Sequence, residues 1–222
     1  MDAFAALLGK DLRVELRTLR SLPAMALFAV TIFVAFRFGL DRTGLEGGLA
    51  AGVLVVTLLF AAILAINRLF VAEREEGGFE LIRLAPIDRT LLFAAKAAAL
   101  FVYLVALELV VVPIFALFFL DSAAPLPPLV PVLLLADLGL ALTGTLVSTI
   151  ATMSSARDLL APLILLPLLV PVVIAAAGAA EPVLRAGGPE YERFGTWLAV
   201  LGLYDGVFAL VGYGVFDYLL DD

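Results

Sequence analysis

The sequence predicts an all-α integral membrane protein, six transmembrane helices behind an N-terminal amphipathic interfacial helix, with both termini cytoplasmic. Three observations predict it. Of 222 residues, 64% are hydrophobic and only 16% are charged. A soluble domain holds roughly 45–50% apolar and about 25% charged residues, so no soluble core of this size hides that much apolar surface. The apolar runs are continuous over about 20 residues, as helices crossing a bilayer require, whereas barrel strands alternate apolar with polar residues. The basic residues, finally, are distributed unevenly between the two sides that these runs define.

Residues 2–20, "DAFAALLGKDLRVELRTLR", open the chain. Phe4, Leu8, Leu12, Leu16 and Leu19 recur at helical spacing, and Lys10, Arg13, Arg17 and Arg20 recur on another face. Such a helix is expected to lie in the membrane interface with its cations near anionic head groups. Its long basic region and lack of a small-residue cleavage site distinguish it from a signal peptide.

Six apolar segments come next, near 22–39, 48–70, 91–120, 129–152, 159–180 and 194–219. Pro23 suits the first turn of the first segment, where its missing N–H costs nothing. The third exceeds the bilayer's need and is expected to tilt, kink at Pro113 or protrude. Pro162, Pro167 and Pro171 punctuate the fifth and invite bends. Gly48–Gly52 and Gly202–Gly206 are small-xxx-small pairs that permit close helix contact, with packing inside the bundle the more common use and a dimer seam the other. With six spans, loops 40–47, 121–128 and 181–193 share one side, and loops 71–90 and 153–158 share the side of the termini. The terminal side carries Lys10, Arg13, Arg17, Arg20, Arg68, Arg74, Arg83, Arg89, Lys96 and Arg157; the opposite side carries Arg37, Arg42, Arg185 and Arg193. That asymmetry places the terminal side in the cytoplasm.

Several chemistries are excluded. There is no cysteine and no histidine, hence no disulfide, no thiol chemistry, no zinc site of the usual ligands and no c-type haem attachment motif. The G-x-S-x-G serine motif is absent. So is a P-loop: the one Gly-Lys pair, Gly9-Lys10, runs into Asp11. A net charge of −7 argues against nucleic acid as a partner.

The most polar stretch is "EREEGGFELIRLAPIDRT", residues 73–90. Glu73, Arg74, Glu75 and Glu76 end a span. Gly77-Gly78 allows a sharp change of direction, and Pro86 closes the short segment beyond it. Between them, Phe79, Leu81 and Ile82 are apolar and Glu80 and Arg83 charged, the pattern of a short surface helix with side chains to bury. A solvated turn fits the spacing equally well.

The form E-R-E-x-G-x-x-E-x-x-x-x-x-P, the basic N-terminal helix and the six spans together resemble an ABC-2-type exporter permease, and more specifically the heme exporter protein B (CcmB) family. The resemblance rests on "KDLRVELRTLRS" at 10–21, "RLFVAEREEGGFELIRLAPIDRTLLFAAK" at 68–96 and "LLAPLILLPLLVPVVIAAA" at 159–177. It implies one transmembrane permease domain over 1–222, with 1–21 interfacial and 22–219 a bundle. Loop 71–90 becomes a coupling helix seated on a separate ATPase, with Glu75, Glu76, Gly77, Gly78, Phe79, Glu80, Leu81, Ile82, Arg83 and Pro86 as its contact. "MSSARD" at 153–158 becomes a smaller second contact. It also implies a place in the bacterial inner membrane and a role in cytochrome c maturation. The chain itself holds no cofactor on this reading: ATP sits on the ATPase and haem on a histidine-bearing membrane partner, because here only Met1, Met25, Met153 and five tyrosines remain as iron ligands. Six spans are half of a typical exporter, so a second copy or another membrane subunit is expected. Export of a lipid, glycan or drug is the sibling reading. Proton-coupled transport and a non-transporting scaffold are readings of other classes.

Glu108 and Asp137 fall toward the outer half of their spans, and Asp205 lies near the middle of the sixth. A charge in a span costs about 2.5–3.5 kcal/mol on insertion scales, so each carboxyl invites a proton or substrate path. The competing expectation, preferred for at least one of the three, is a protonated carboxyl hydrogen-bonded to a neighbouring helix.

Overall fold

The computed structural model describes residues 2–18, 21–40, 44–75, 89–120, 126–152, 157–185 and 192–219. Seven helices fill them: α1 (Asp2–Thr18), α2 (Ser21–Gly39), α3 (Gly47–Glu75), α4 (Arg89–Phe119), α5 (Leu129–Thr152), α6 (Arg157–Val183) and α7 (Phe194–Leu219). No strand occurs among the described residues. Helices α2 to α7 are each long and apolar enough to cross a membrane. They are helices because a bilayer offers no water to the backbone, and only local i to i−4 bonding satisfies every N–H and C=O within one span.

Helices α3 and α5 form the centre and are largely enclosed, while α2 and α7 lie at the periphery. Helix α5 touches α3, α4, α6 and α7. Helices α3 and α6 touch, and both bury small residues: Ala50, Ala51, Ala61, Ala62 and Ala65 on α3, Ala175, Ala176, Ala179 and Ala180 on α6. Lipid tails are as apolar as leucine, so helix association draws on close van der Waals contact, which small residues permit. At the outer ends of α2 and α4, Phe33, Phe115 and Phe119 form an aromatic knot with ring centroids 5.4–5.8 Å apart.

The expected sharing of sides is visible in backbone hydrogen bonds. Leu45 N–H donates to Phe119 O at 3.0 Å, and Gly47 N–H donates to Leu184 O at 2.7 Å. The α2–α3 connection is thereby tied to the ends of α4 and α6. Gly47 has φ +55°, a conformation that glycine adopts without the Cβ clash other residues incur. Cysteines at the exposed positions Glu46 and Glu192 are therefore expected to react with an impermeant thiol reagent applied from outside the cell, and one at Ala6 is not. The chain's lack of native cysteine makes the assay clean. The reverse labelling pattern would invert the orientation.

Helix α4 continues unbroken through Pro113 for 31 residues. At 1.5 Å per residue it is about 46 Å long, against a hydrocarbon core of about 30 Å. It is not interrupted at Pro113, and α1 packs against it. The glycine pairs are a correction. A Cβ at Gly52, Gly202 or Gly206 would meet nothing within 4 Å, and Gly48 would touch only a Glu181 carbon at 3.9 Å. These glycines do not mediate packing inside the bundle. Rotation of each helix, which the spacing does not encode, turned them outward. The close approaches are at Gly139, against Asp205 and Tyr204, Gly144, against Ile66, Gly178, against Trp197, and Gly212, against Phe93.

Candidate functional site

The polar groups buried in the spans sit mostly on α5, which carries Asp137, Thr143, Thr145, Ser148 and Thr149. Thr149 returns its hydroxyl to the Thr145 carbonyl at 2.8 Å, the usual way a span hides a hydroxyl. Asp137 has no such local exit. It lies eight residues from the start of α5, and Glu108 eleven residues from the end of α4, about 12–17 Å below the outer helix ends. The structure brings these two together. They lie side by side and enclosed, with Glu108 8% and Asp137 2% exposed. Glu108 Oε1 and Asp137 Oδ2 make no hydrogen bond to described residues.

Asp205 stands apart from this pair. It packs against the opposite flank of α5, in the space left by Gly139, where a Cβ would come within 2.8 Å of Asp205 Oδ1. Neither of its oxygens has a hydrogen-bond partner among the described residues. The neighbouring Tyr204 fills the rest of that space. Its hydroxyl donates to Leu168 O at 3.0 Å and accepts from Thr143 Oγ1 at 2.8 Å, so one oxygen ties α5, α6 and α7. Leu168 lies in the turn of α6 between Pro167 and Pro171. The Tyr204 ring stacks on Phe208 at 4.4 Å.

Two further residues were not singled out by periodicity. Asp11 of α1 and Lys96 of α4 form an ion pair at 2.9 Å, each side chain 7% exposed. Tyr103 OH donates to the Asp11 carbonyl at 2.6 Å. The stripe of α1 facing α4 is therefore Leu7 and Asp11, with Leu8 and Leu12 half-buried beside it. The signal available was Lys96 itself, a cation within an apolar run that needs a counter-charge.

The expected coupling residues Glu76, Gly77, Gly78, Phe79, Glu80, Leu81, Ile82, Arg83 and Pro86 lie outside the described residues, as does most of 153–158. Glu75 is the last residue of α3.

Replacing either member of the carboxyl pair by its amide keeps a hydrogen bond available without an ionisable group. Glu108→Gln and Asp137→Asn are expected to leave assembly and activity near wild type. Glu108→Leu strands Asp137 and should cost about 1–3 kcal/mol of stability, read as thermal unfolding in detergent. Loss of activity in a well-assembled amide variant would instead assign the carboxyls to a proton path.

Six spanning helices, an interfacial helix clamped to them and carboxyls buried at mid-depth define a polytopic α-helical membrane protein. The profile of the CcmB protein family matches residues 2–215, and the chain belongs to that family. It is similar to the heme exporter protein B of Pseudomonas aeruginosa, 29% identical over 201 residues, covering 90% of this chain and 89% of the relative. The protein of the same description from Bradyrhizobium diazoefficiens is 28% identical over 185 residues, 83% of each chain. That from Paracoccus denitrificans is 30% identical over 178 residues, 78% and 80%. The chain is thus a multi-pass protein of the bacterial inner membrane.

Proposed function

We propose that this chain is the membrane permease subunit of an ATP-driven haem-export complex acting in cytochrome c maturation. The observation that carries the reading is family membership along nearly the whole chain, with relatives described as heme exporter protein B aligned over most of their own length. The sequence carries no P-loop, so hydrolysis belongs to a separate ATPase subunit. Loop 71–90 is its handle on this side of the membrane. ATP turnover there drives a conformational change in the bundle, which releases a haem-loaded chaperone. Haem itself is held by a partner membrane protein that has histidine ligands, since this chain has neither histidine nor cysteine to offer. The buried Glu108–Asp137 pair serves as a structural link between α4 and α5. A second copy of the chain, or a second membrane subunit, completes the pore-forming unit.

The test is a pull-down of tagged protein in mild detergent, with subunits identified and haem absorbance scanned. An ATPase and a histidine-bearing membrane subunit should co-purify, and haem should accompany the latter. Recovery of an ATPase with consistent absence of that subunit and of haem would favour export of a lipid, glycan or drug. Activity in liposomes driven by a pH gradient without any ATPase would replace the reading with proton coupling.

A further inference from the structure

The amphipathic pattern of α1 suggests a helix held at the surface by lipid head groups. The contacts it makes suggest something firmer. Among the described side chains of α1, Asp11 points most fully into protein, and its carboxylate meets a lysine that is equally enclosed, Asp11 Oδ2 to Lys96 Nζ at 2.9 Å. The same residue is gripped through its backbone by Tyr103, two turns further along α4. One turn before it on α1, Leu7 packs into a separate apolar cluster of Leu92, Phe93, Ala97, Leu142 and Leu146, joined by Phe208 from α7. Lys10, half-exposed, reaches Asp11 Oδ1 only at 3.6 Å and is a weak competitor in water. Lys96 lies seven residues into α4, about 10 Å from the point where the chain enters that helix after loop 76–88.

We propose that Asp11 is a positioning residue: through Lys96 it locks α1 onto the first turns of α4, making α1 a fixed strut beside the entry to that helix rather than a lipid-held float. A buried ion pair is unforgiving in the way this role needs. Removing one partner leaves the other charge enclosed and uncompensated, so the docked state is lost rather than loosened. Without the lock, the Leu7 packing and the Tyr103 bond to the Asp11 backbone must hold α1 against an enclosed, uncompensated Lys96, and attraction between the exposed cations Lys10 and Arg13 and anionic lipid is the remaining aid.

That difference gives the experiment. Spin labels on cysteines replacing Ala6 and Ala94, both exposed, report the α1–α4 distance in full-length protein in nanodiscs. The unaltered pair should give one narrow distance in pure phosphatidylcholine and the same one with phosphatidylglycerol added. Asp11→Asn should lose the narrow peak in phosphatidylcholine and recover part of it only with phosphatidylglycerol. The charge swap Asp11→Lys with Lys96→Asp should restore it in both, and Asp11→Glu should retain most of it. A narrow peak in Asp11→Asn without anionic lipid overturns the proposal, as does a swap that inserts but stays broad. Should Asp11→Asn fail to accumulate, the swap decides alone: a narrow peak supports the lock, and a broad peak or absent protein sinks it. These readouts need no ATPase, so they stand or fall separately from the functional reading above.

Discussion

Ile82→Asp is expected to strip the ATPase from the membrane subunit while leaving insertion intact. Helix α3 ends at Glu75 and α4 begins at Arg89, so the substitution lies between spans and touches no spanning segment. Phe79, Leu81 and Ile82 put three large apolar side chains between Gly77-Gly78 and Pro86 on the side of the membrane that carries most of the basic residues. A solvated turn has no physical reason to keep them, whereas a short helix seated in a groove of a partner does. An aspartate in that contact is a desolvated, unpaired group, costing about 1–3 kcal/mol, or roughly fivefold to 150-fold in affinity. ATPase co-purification and cytochrome c production should fall together. Gly78→Pro should do similar harm by another route, because it fixes φ where the chain must turn. Ile82→Asp protein that carries a full complement of ATPase and supports normal cytochrome c would end the coupling-helix reading.

Gly144→Val should destabilise the bundle at its centre. A Cβ at Gly144 lies 2.5 Å from Ile66 Cδ1, 2.8 Å from Ile66 Cγ1 and 3.4 Å from Leu100 Cδ2, where α5 crosses α3 and α4. Ile66 and Leu100 are fully buried, so neither has free space to swing into. Overpacking of a filled core costs about 1–3 kcal/mol, and a β-branched side chain in a helix has few rotamers with which to avoid the clash. The expected readout is a lowered unfolding temperature in detergent and reduced yield. Ile66→Ala in the same chain removes the atoms in conflict and should recover much of the loss. An unshifted unfolding temperature in Gly144→Val alone would mean that α3 and α5 are not in this contact in the membrane.

The six spans could be read directly from the residues, because the bilayer imposes one rule on any chain crossing it: about 20 apolar residues with every backbone group bonded locally. Their edges differ only where charge permits a helix to continue into water, as when α3 runs on to Glu75 beyond the apolar end near 70. Which side faces the cytoplasm is an expectation from where lysine and arginine fall along the chain, and the labelling experiment above tests it. The depth of Glu108, Asp137 and Asp205 came from their position within each run. What only the tertiary structure decided is how each helix is rotated and which helix lies beside it. Hydropathy in a span is nearly uniform around the axis, so it holds little information about facing. Rotation put Gly202 and Gly206 outward, joined Glu108 to Asp137 and left Asp205 against Gly139. It also turned Asp11 inward, against the apolar pattern of its own helix. A carboxylate in an interfacial helix prefers water, until a lysine enclosed 85 residues away in the chain offers it a stronger partner than water does.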